Sequence, residues 1–265
     1  MTRTYISGSL NTEQQEFIHL IDEYEISVFS TTTIENYLQR KFNNLNEILE
    51  NLVQKKFLTR LERGKYCRST FKNDMVIGCF LTSEGIVAYW SALNLHGLTE
   101  QFSNTLFIQT TKRKEQKYLA GTTFKFVKVK QTKIAGIVKQ GYGSNAFSMT
   151  DAEKTIIDCF DLPQYSGGYA ELIRAFADAS LNAQKMIEYC KVVNNIAVTK
   201  RIACLVDILE KEKFAPFLRY TKSVVNEAYS LFDPFGFDKG EFVKEWKIRL
   251  NISREQIINI CTKQY

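Results

Sequence analysis

At Phe57 the spacing of apolar side chains changes from helical to hairpin-like, and that switch limits the folds open to the first seventy residues. Upstream, three segments carry apolar residues at helical intervals. Asn11 and Gln14 have capping-box spacing at the head of a stretch with Phe17, Leu20, Ile21 and Tyr24. Thr32 and Glu35 repeat that spacing beside Ile34, Tyr37 and Leu38. Asn44 and Glu47 repeat it again beside the broad stripe Leu45, Ile48, Leu49, Leu52 and Val53. Downstream, residues 57–61 and 65–68 flank Glu62-Arg63-Gly64, which predicts a short β-hairpin with Gly64 supplying a positive φ. Three short helices followed by a hairpin predict a winged helix-turn-helix over residues 1–70. A three-helix bundle with an unrelated hairpin is the plainer alternative.

Charge is concentrated where that prediction needs it. Residues 40–72 hold nine Lys/Arg against three Asp/Glu, and residues 112–139 hold nine against one, whereas residues 140–265 are neutral and the whole chain is +6. In the first block Arg40, Lys41, Lys55, Lys56, Arg60, Arg63, Lys65 and Arg68 are candidate phosphate contacts for double-stranded DNA. Asn44, Asn46 and Asn51 are candidate base readers, because a side-chain amide can pair with adenine; solvated helix Asn is the plainer account of them. In the second block Lys112, Arg113, Lys114, Lys117, Lys125, Lys128 and Lys130 define a possible second basic surface. A solvated strand face, an accessory DNA contact and a surface for an acidic or RNA-like partner all fit that composition.

The rest of the chain predicts an α+β protein, its first 70 residues followed by a region 71–265. Within the latter, residues 71–150 read as a small α/β unit. Ser83 is the expected cap of a helix containing Ile86, Tyr89, Trp90 and Leu93. Strands are expected at 105–110, 123–129, 134–138 and 146–149, the middle ones with one wet face. Residues 151–265 read as mainly helical. Thr150 and Glu153 form another expected capping box, and helices are expected at 169–178, 183–193 and 198–211. With 45% apolar residues the chain can fill packed cores. Met1–Leu10 contains one Arg and no apolar run, so no export leader is expected, and no segment is long enough to span a membrane. Six scattered cysteines without a C-x-x-C pair read as reduced core residues, consistent with the cytoplasm.

Catalytic patterns are sparse. The two histidines, His19 and His96, have no metal-ligand spacing, and neither a nucleophile elbow nor a P-loop is present. Glu115-x-Lys117 and Glu245-x-Lys247 match a three-residue nuclease spacing that chance readily supplies. Glu153 and Asp158 lie five apart, about 140° around a helix, and do not converge on one ion. No cofactor, metal or enzymatic activity is expected.

Three blocks in sequence order resemble AbiEi-type antitoxins: Leu52 through Tyr66, Tyr89 through Gln101, and Ser148 through Cys159 with its E-K-T-x-x-D pattern at Glu153, Lys154, Thr155 and Asp158. The resemblance spans about residues 11–210; the tail after Phe214 matches nothing recognisable. It implies a bacterial abortive-infection (phage defence) antitoxin. The N-terminal domain would repress its own operon, and the remainder would counteract a nucleotidyltransferase-like toxin, with or without direct contact. Two other functions stay open: a transcription factor with a ligand-sensing or dimerising C-terminal region, and a metal-dependent nucleic-acid-processing enzyme.

Overall fold

A computed structural model describes residues 9–101 and 103–262; most of the stretch Met1–Leu10, where no export leader is expected, lies outside the described residues. The architecture is mixed α+β with three sheets among the described residues. The chain begins α1 (Thr12–Glu23), β1 (Val28–Ser30), α2 (Ile34–Tyr37), α3 (Leu45–Gln54), then β2 (Leu58–Glu62) and β3 (Lys65–Arg68). β3 pairs antiparallel with both β1 and β2. The helical stripes converge as predicted: Phe17, Ile21, Ile34, Ile48, Leu49 and Leu52 meet Phe29, Phe42, Leu58 and Tyr66 in one cluster. Gly64 closes the hairpin at φ +72, where a Cβ would also stand 3.0 Å from the Thr31 hydroxyl. The positive φ favours glycine there, and the tight approach to Thr31 adds to the preference.

Of the three expected N-terminal capping boxes only the first forms, with the Gln14 backbone N–H donating to Asn11 Oδ1 at 2.8 Å. α2 starts after Thr33 without a side-chain cap, and the Glu35 carboxylate accepts instead from the Phe42 backbone N–H at 2.8 Å. The turn between α2 and α3 needs that acceptor to satisfy its own backbone. Because α2 is a single turn, Tyr37, expected on its apolar face, is 68% exposed. Asn44 donates its amide to Glu47 Oε2 at 2.5 Å and leaves the third box unmade.

Next come α4 (Asp74–Phe80), β4 (Ile86–Val87), α5 (Tyr89–Leu95), β5 (Thr105–Thr110), β6 (Lys117–Leu119), β7 (Thr122–Lys128), β8 (Ile137–Gln140) and β9 (Phe147–Thr150). They build a six-stranded sheet of order β6-β7-β5-β4-β9-β8. The β5–β7 and β4–β9 pairs are parallel and the other neighbours antiparallel. The helix expected from Ser83 is corrected: Ile86 and Val87 are a strand paired with Gln109 and Ile108, and the helix starts only after Ala88. Two buried β-branched residues gain more from that pairing than from continuing a helical stripe. The wet-faced sheet is corrected too. Leu106, Ile108, Phe124 and Phe126 pack with Val76 and Ile77, whereas Phe107 and Val127 face the helices that follow. Successive side chains alternate between two covered faces.

Those helices are α6 (Ala152–Asp161), α7 (Tyr169–Asp178), α8 (Ala183–Val193) and α9 (Ile196–Ile208). Asp151, rather than the expected Thr150, caps α6 by accepting from the Lys154 backbone N–H at 2.9 Å. The tail is less helical than expected. After α10 (Ala215–Val224) it folds into a small sheet of β10 (Ser230–Leu231), β11 (Glu241–Val243) and β12 (Ile248–Leu250), then α11 (Arg254–Thr262). Phe232, Trp246, Ile248, Leu250 and Ile257 join the same core as Phe160 and Phe176. The hairpin β2–β3 does not stand free. Leu61 and Cys67 are buried with Val76, Ile77 and Leu81 in the α/β core, so the hairpin is docked on the body of the protein.

Candidate nucleic-acid interface

α3 buries Ile48, Leu49 and Leu52 and turns Asn46, Glu47 and Gln54 outward, with Asn51 half-buried. The Asn46 and Asn51 side chains make no hydrogen bond among the described residues, whereas Asn44 is held by Glu47. Two of the three candidate base readers are therefore unengaged.

The eight cations of the first basic block divide into three groups. Lys41, Lys56 and Arg63 are exposed, and their side chains have no acidic or hydrogen-bonding partner among the described residues. Arg40 and Arg60 are half-exposed and paired with Glu16 (2.8 Å) and Glu50 (3.0 Å). The hydrogen bond from Arg40 holds the Glu16 carboxyl below its ordinary value against a small desolvation effect. Solvent screens surface pairs of this kind, so both guanidiniums can exchange partners at little cost. Lys55, Lys65 and Arg68 are structural. Lys55 donates to the Ser9 carbonyl (2.6 Å) and Gln14 Oε1 (2.8 Å). Lys65 donates to the Phe80 and Leu81 carbonyls at 3.0 and 2.8 Å, where α4 ends. Arg68 donates to the Ile26 carbonyl at 2.8 Å and pairs with Asp22 at 2.6 Å. For Lys65 the acceptors are carbonyls that the end of α4 leaves unsatisfied and that attract a cation. Sequence reasoning treated all eight alike because partners distant in sequence leave no local trace.

The second basic block is not one surface. Lys112 and Arg113 are exposed in the turn after β5, with Arg113 3.7 Å from Glu115. Lys114 instead reaches Glu62, at the hairpin tip, at 2.6 Å and lies over the Phe126 ring. Glu62 also accepts from Lys65 at 3.1 Å. Desolvation pushes the Glu62 carboxyl up, but the two lysines outweigh it and hold it below its ordinary value. Burial lowers Lys117, Glu62 opposes that, and Lys114 and Lys65 add to the depression. On β7, Lys125 alternates with Phe124 and Phe126 and shares the face of Val127. Lys128 and Lys130 line a separate cleft of about 460 Å³ with Lys133, Asp161 and Asn194. The missed residues are the acids Glu50 and Glu62. Only Glu62, between Arg60 and Arg63, interrupts a basic run; Glu50 carried no sequence signal.

The α6 residues that carry the E-K-T-x-x-D pattern are all buried. The Lys154 ammonium donates to Asp158 Oδ1, and Asp158 Oδ2 also accepts from Gln109 at 3.0 Å. Burial pushes the Asp158 carboxyl up and Lys154 opposes it. Glu153 accepts from the Asn182 backbone N–H at 2.9 Å, and Thr155 donates to the Asp151 carbonyl at 2.7 Å. Glu153 thus ties α6 to the start of α8 and Asp158 ties it to β5, whereas Lys154 pairs within the helix. The nuclease-like spacing Glu245-x-Lys247 is likewise engaged elsewhere, Glu245 pairing with Lys222 at 2.7 Å and Lys247 with Glu227 at 2.6 Å, and in the other spacing Glu115 lies 3.7 Å from Arg113. Among the described residues no group of three His, Cys, Asp or Glu is placed to hold a metal ion. None of the helices described is long and apolar enough to cross a membrane.

No protein-family profile matches the chain, and no curated protein matches it. Its fold is similar to the crystal structure of the RV2827C protein from Mycobacterium tuberculosis, with a TM-score of 0.65 over 97% of each chain and 12% sequence identity. At that identity the likeness concerns the fold alone.

Proposed function

We propose that residues 9–68 are a winged helix-turn-helix that binds duplex DNA, with α3 in the major groove and the hairpin β2–β3 on the phosphates. The observation that carries this reading is a three-helix unit followed by a hairpin, in which α3 turns Asn46 and Glu47 outward, the exposed and unpaired Lys41 and Lys56 stand before and after α3 in the chain, and Arg63 is exposed at the hairpin turn. Arg60, held by Glu50 of α3, is placed between helix and hairpin and can pass to a phosphate at little cost. The protein would act in the cytoplasm on its own operator. The resemblance to AbiEi-type antitoxins extends the proposal to a second role, neutralising a nucleotidyltransferase-like toxin. That second role is supported by the resemblance and not by any exposed site.

Binding to a duplex from the protein's own promoter, titrated against salt, tests the first role. Each lost phosphate contact flattens the log–log salt slope by about 0.9, so Lys56→Ala with Arg63→Ala should flatten it by about 1.8. Lys65→Ala should leave the slope unchanged, because its ammonium is committed to helix-end carbonyls. An unchanged slope in the double variant removes the hairpin from the interface. Co-expression with the product of the adjacent gene tests the second role: growth should be rescued from a toxic neighbour, and failure to rescue sinks it.

A further inference from the structure

The docking of the hairpin has a consequence for how much DNA the protein can touch. Its tip is fastened to the α/β body from both sides: Leu61 and Cys67 enter the second core, and Glu62 bridges Lys65 of the hairpin and Lys114 of the β5–β6 turn. Arg63, adjacent to Glu62, is exposed at that tip. Lys112 and Arg113, two residues and one residue before Lys114, are exposed in the turn that Lys114 anchors, and Lys117 opens the following strand. One carboxylate therefore sits among Lys65, Lys114 and Lys117, and the local charge remains positive. Lys117 is depressed chiefly by burial, Glu62 opposes that, and the nearby charges of Lys114 and Lys65 add to it. A polyanion lying along α3 and the hairpin tip meets this turn next.

We propose that the turn 111–117 is a second phosphate-binding edge, continuous with the hairpin, through which Lys112, Arg113 and Lys117 contact duplex DNA beyond the winged-helix footprint. Lys114 and Glu62 are positioning residues in this scheme: they clamp the turn to the hairpin and do not themselves touch DNA. The remaining lysines of the block are excluded, since Lys125 lies on the opposite sheet face and Lys128 and Lys130 line a different cleft. The inference rests on the duplex-binding reading above.

The test uses the full chain and a labelled duplex of about forty base pairs from its own promoter. Lys112→Gln with Arg113→Gln should flatten the salt slope by about 1.8 if both side chains neutralise phosphates. Trimming the duplex stepwise from its ends should weaken the wild type until it matches that variant. Glu62→Gln should flatten the slope of the long duplex alone, by loosening the clamp. If the wild type binds no duplex, the winged-helix reading falls and this inference falls with it. If Lys56→Ala with Arg63→Ala flattens the slope but Lys112→Gln with Arg113→Gln does not, the inference alone is overturned. Tighter binding of single-stranded RNA than duplex through Lys112 and Arg113 would also overturn it.

Discussion

Lys154 is wholly enclosed by the protein, and its ammonium is matched to the Asp158 carboxylate one helical turn away on α6. Gln109 of β5 completes the set from the sheet, and the Tyr89 hydroxyl accepts from that same amide at 3.1 Å. A buried pair of this type adds little compared with an apolar pair of the same shape, but half of it is costly. Lys154→Met is expected to destabilise the fold by about 3–5 kcal/mol, measured as a lowered denaturant midpoint. Lys154→Met with Asp158→Leu should recover part of that loss, because no charge is then left unpaired. Full destabilisation in the double variant would show that shape, not charge, governs the site. The same contrast separates Arg63 from Lys65 two residues away: one faces solvent and the other closes α4.

At the scale of elements, the hairpin β2–β3 joins two cores, with Leu58 and Tyr66 in the first and Leu61 and Cys67 in the second. A register shift between Arg60 and Glu62 makes this possible, since a bulge turns neighbouring side chains toward different layers. Glu62 then ties the tip to the body. Its carboxyl is held below the ordinary 4.5, so its contribution is complete above that value and is lost as pH falls through the lower folded value. Glu62→Gln should therefore narrow the stability gap to wild type on acidification below about 4.5, as read from urea midpoints at several pH values. A gap that stays constant with pH would mean that the ion pairs with Lys65 and Lys114 do not stabilise the docked hairpin. The hairpin and the bounds of β5, α7 and α8 were legible in the sequence, because residue period and turn chemistry act locally. The strand at Ile86 was not, because it depends on pairing with β5, and the helix starts moved by one residue, to Asp151 from Thr150 and to Thr33 from Thr32.

At the scale of the molecule, the three hydrophobic clusters overlap through shared elements rather than standing as separate bodies. The tail contributes Trp246, Ile248 and Ile257 to the core that holds α6 and α7. A fragment of residues 1–70 would expose Leu61 and Cys67 and lose the α4 carbonyls that hold Lys65. It is expected to unfold with a lower midpoint and less cooperatively than the full chain, by circular dichroism and dye binding. A fragment as stable as the full chain would show that hairpin docking adds nothing to that region's stability.

The amino-acid sequence by itself determined the helix-and-hairpin order of the first seventy residues, the mixed α+β class and the two places where positive charge collects, because these follow from period, turn residues and composition. Only the tertiary structure decided which cations remain unpaired, that the second basic block is split across different surfaces, and that the E-K-T-x-x-D helix is interior. The physical reason is common to all three. A charge seeks the nearest carboxylate, carbonyl or ring in space, and that neighbour lies 52 residues away for Lys114 and 15 or 16 for Lys65, where no local pattern records it.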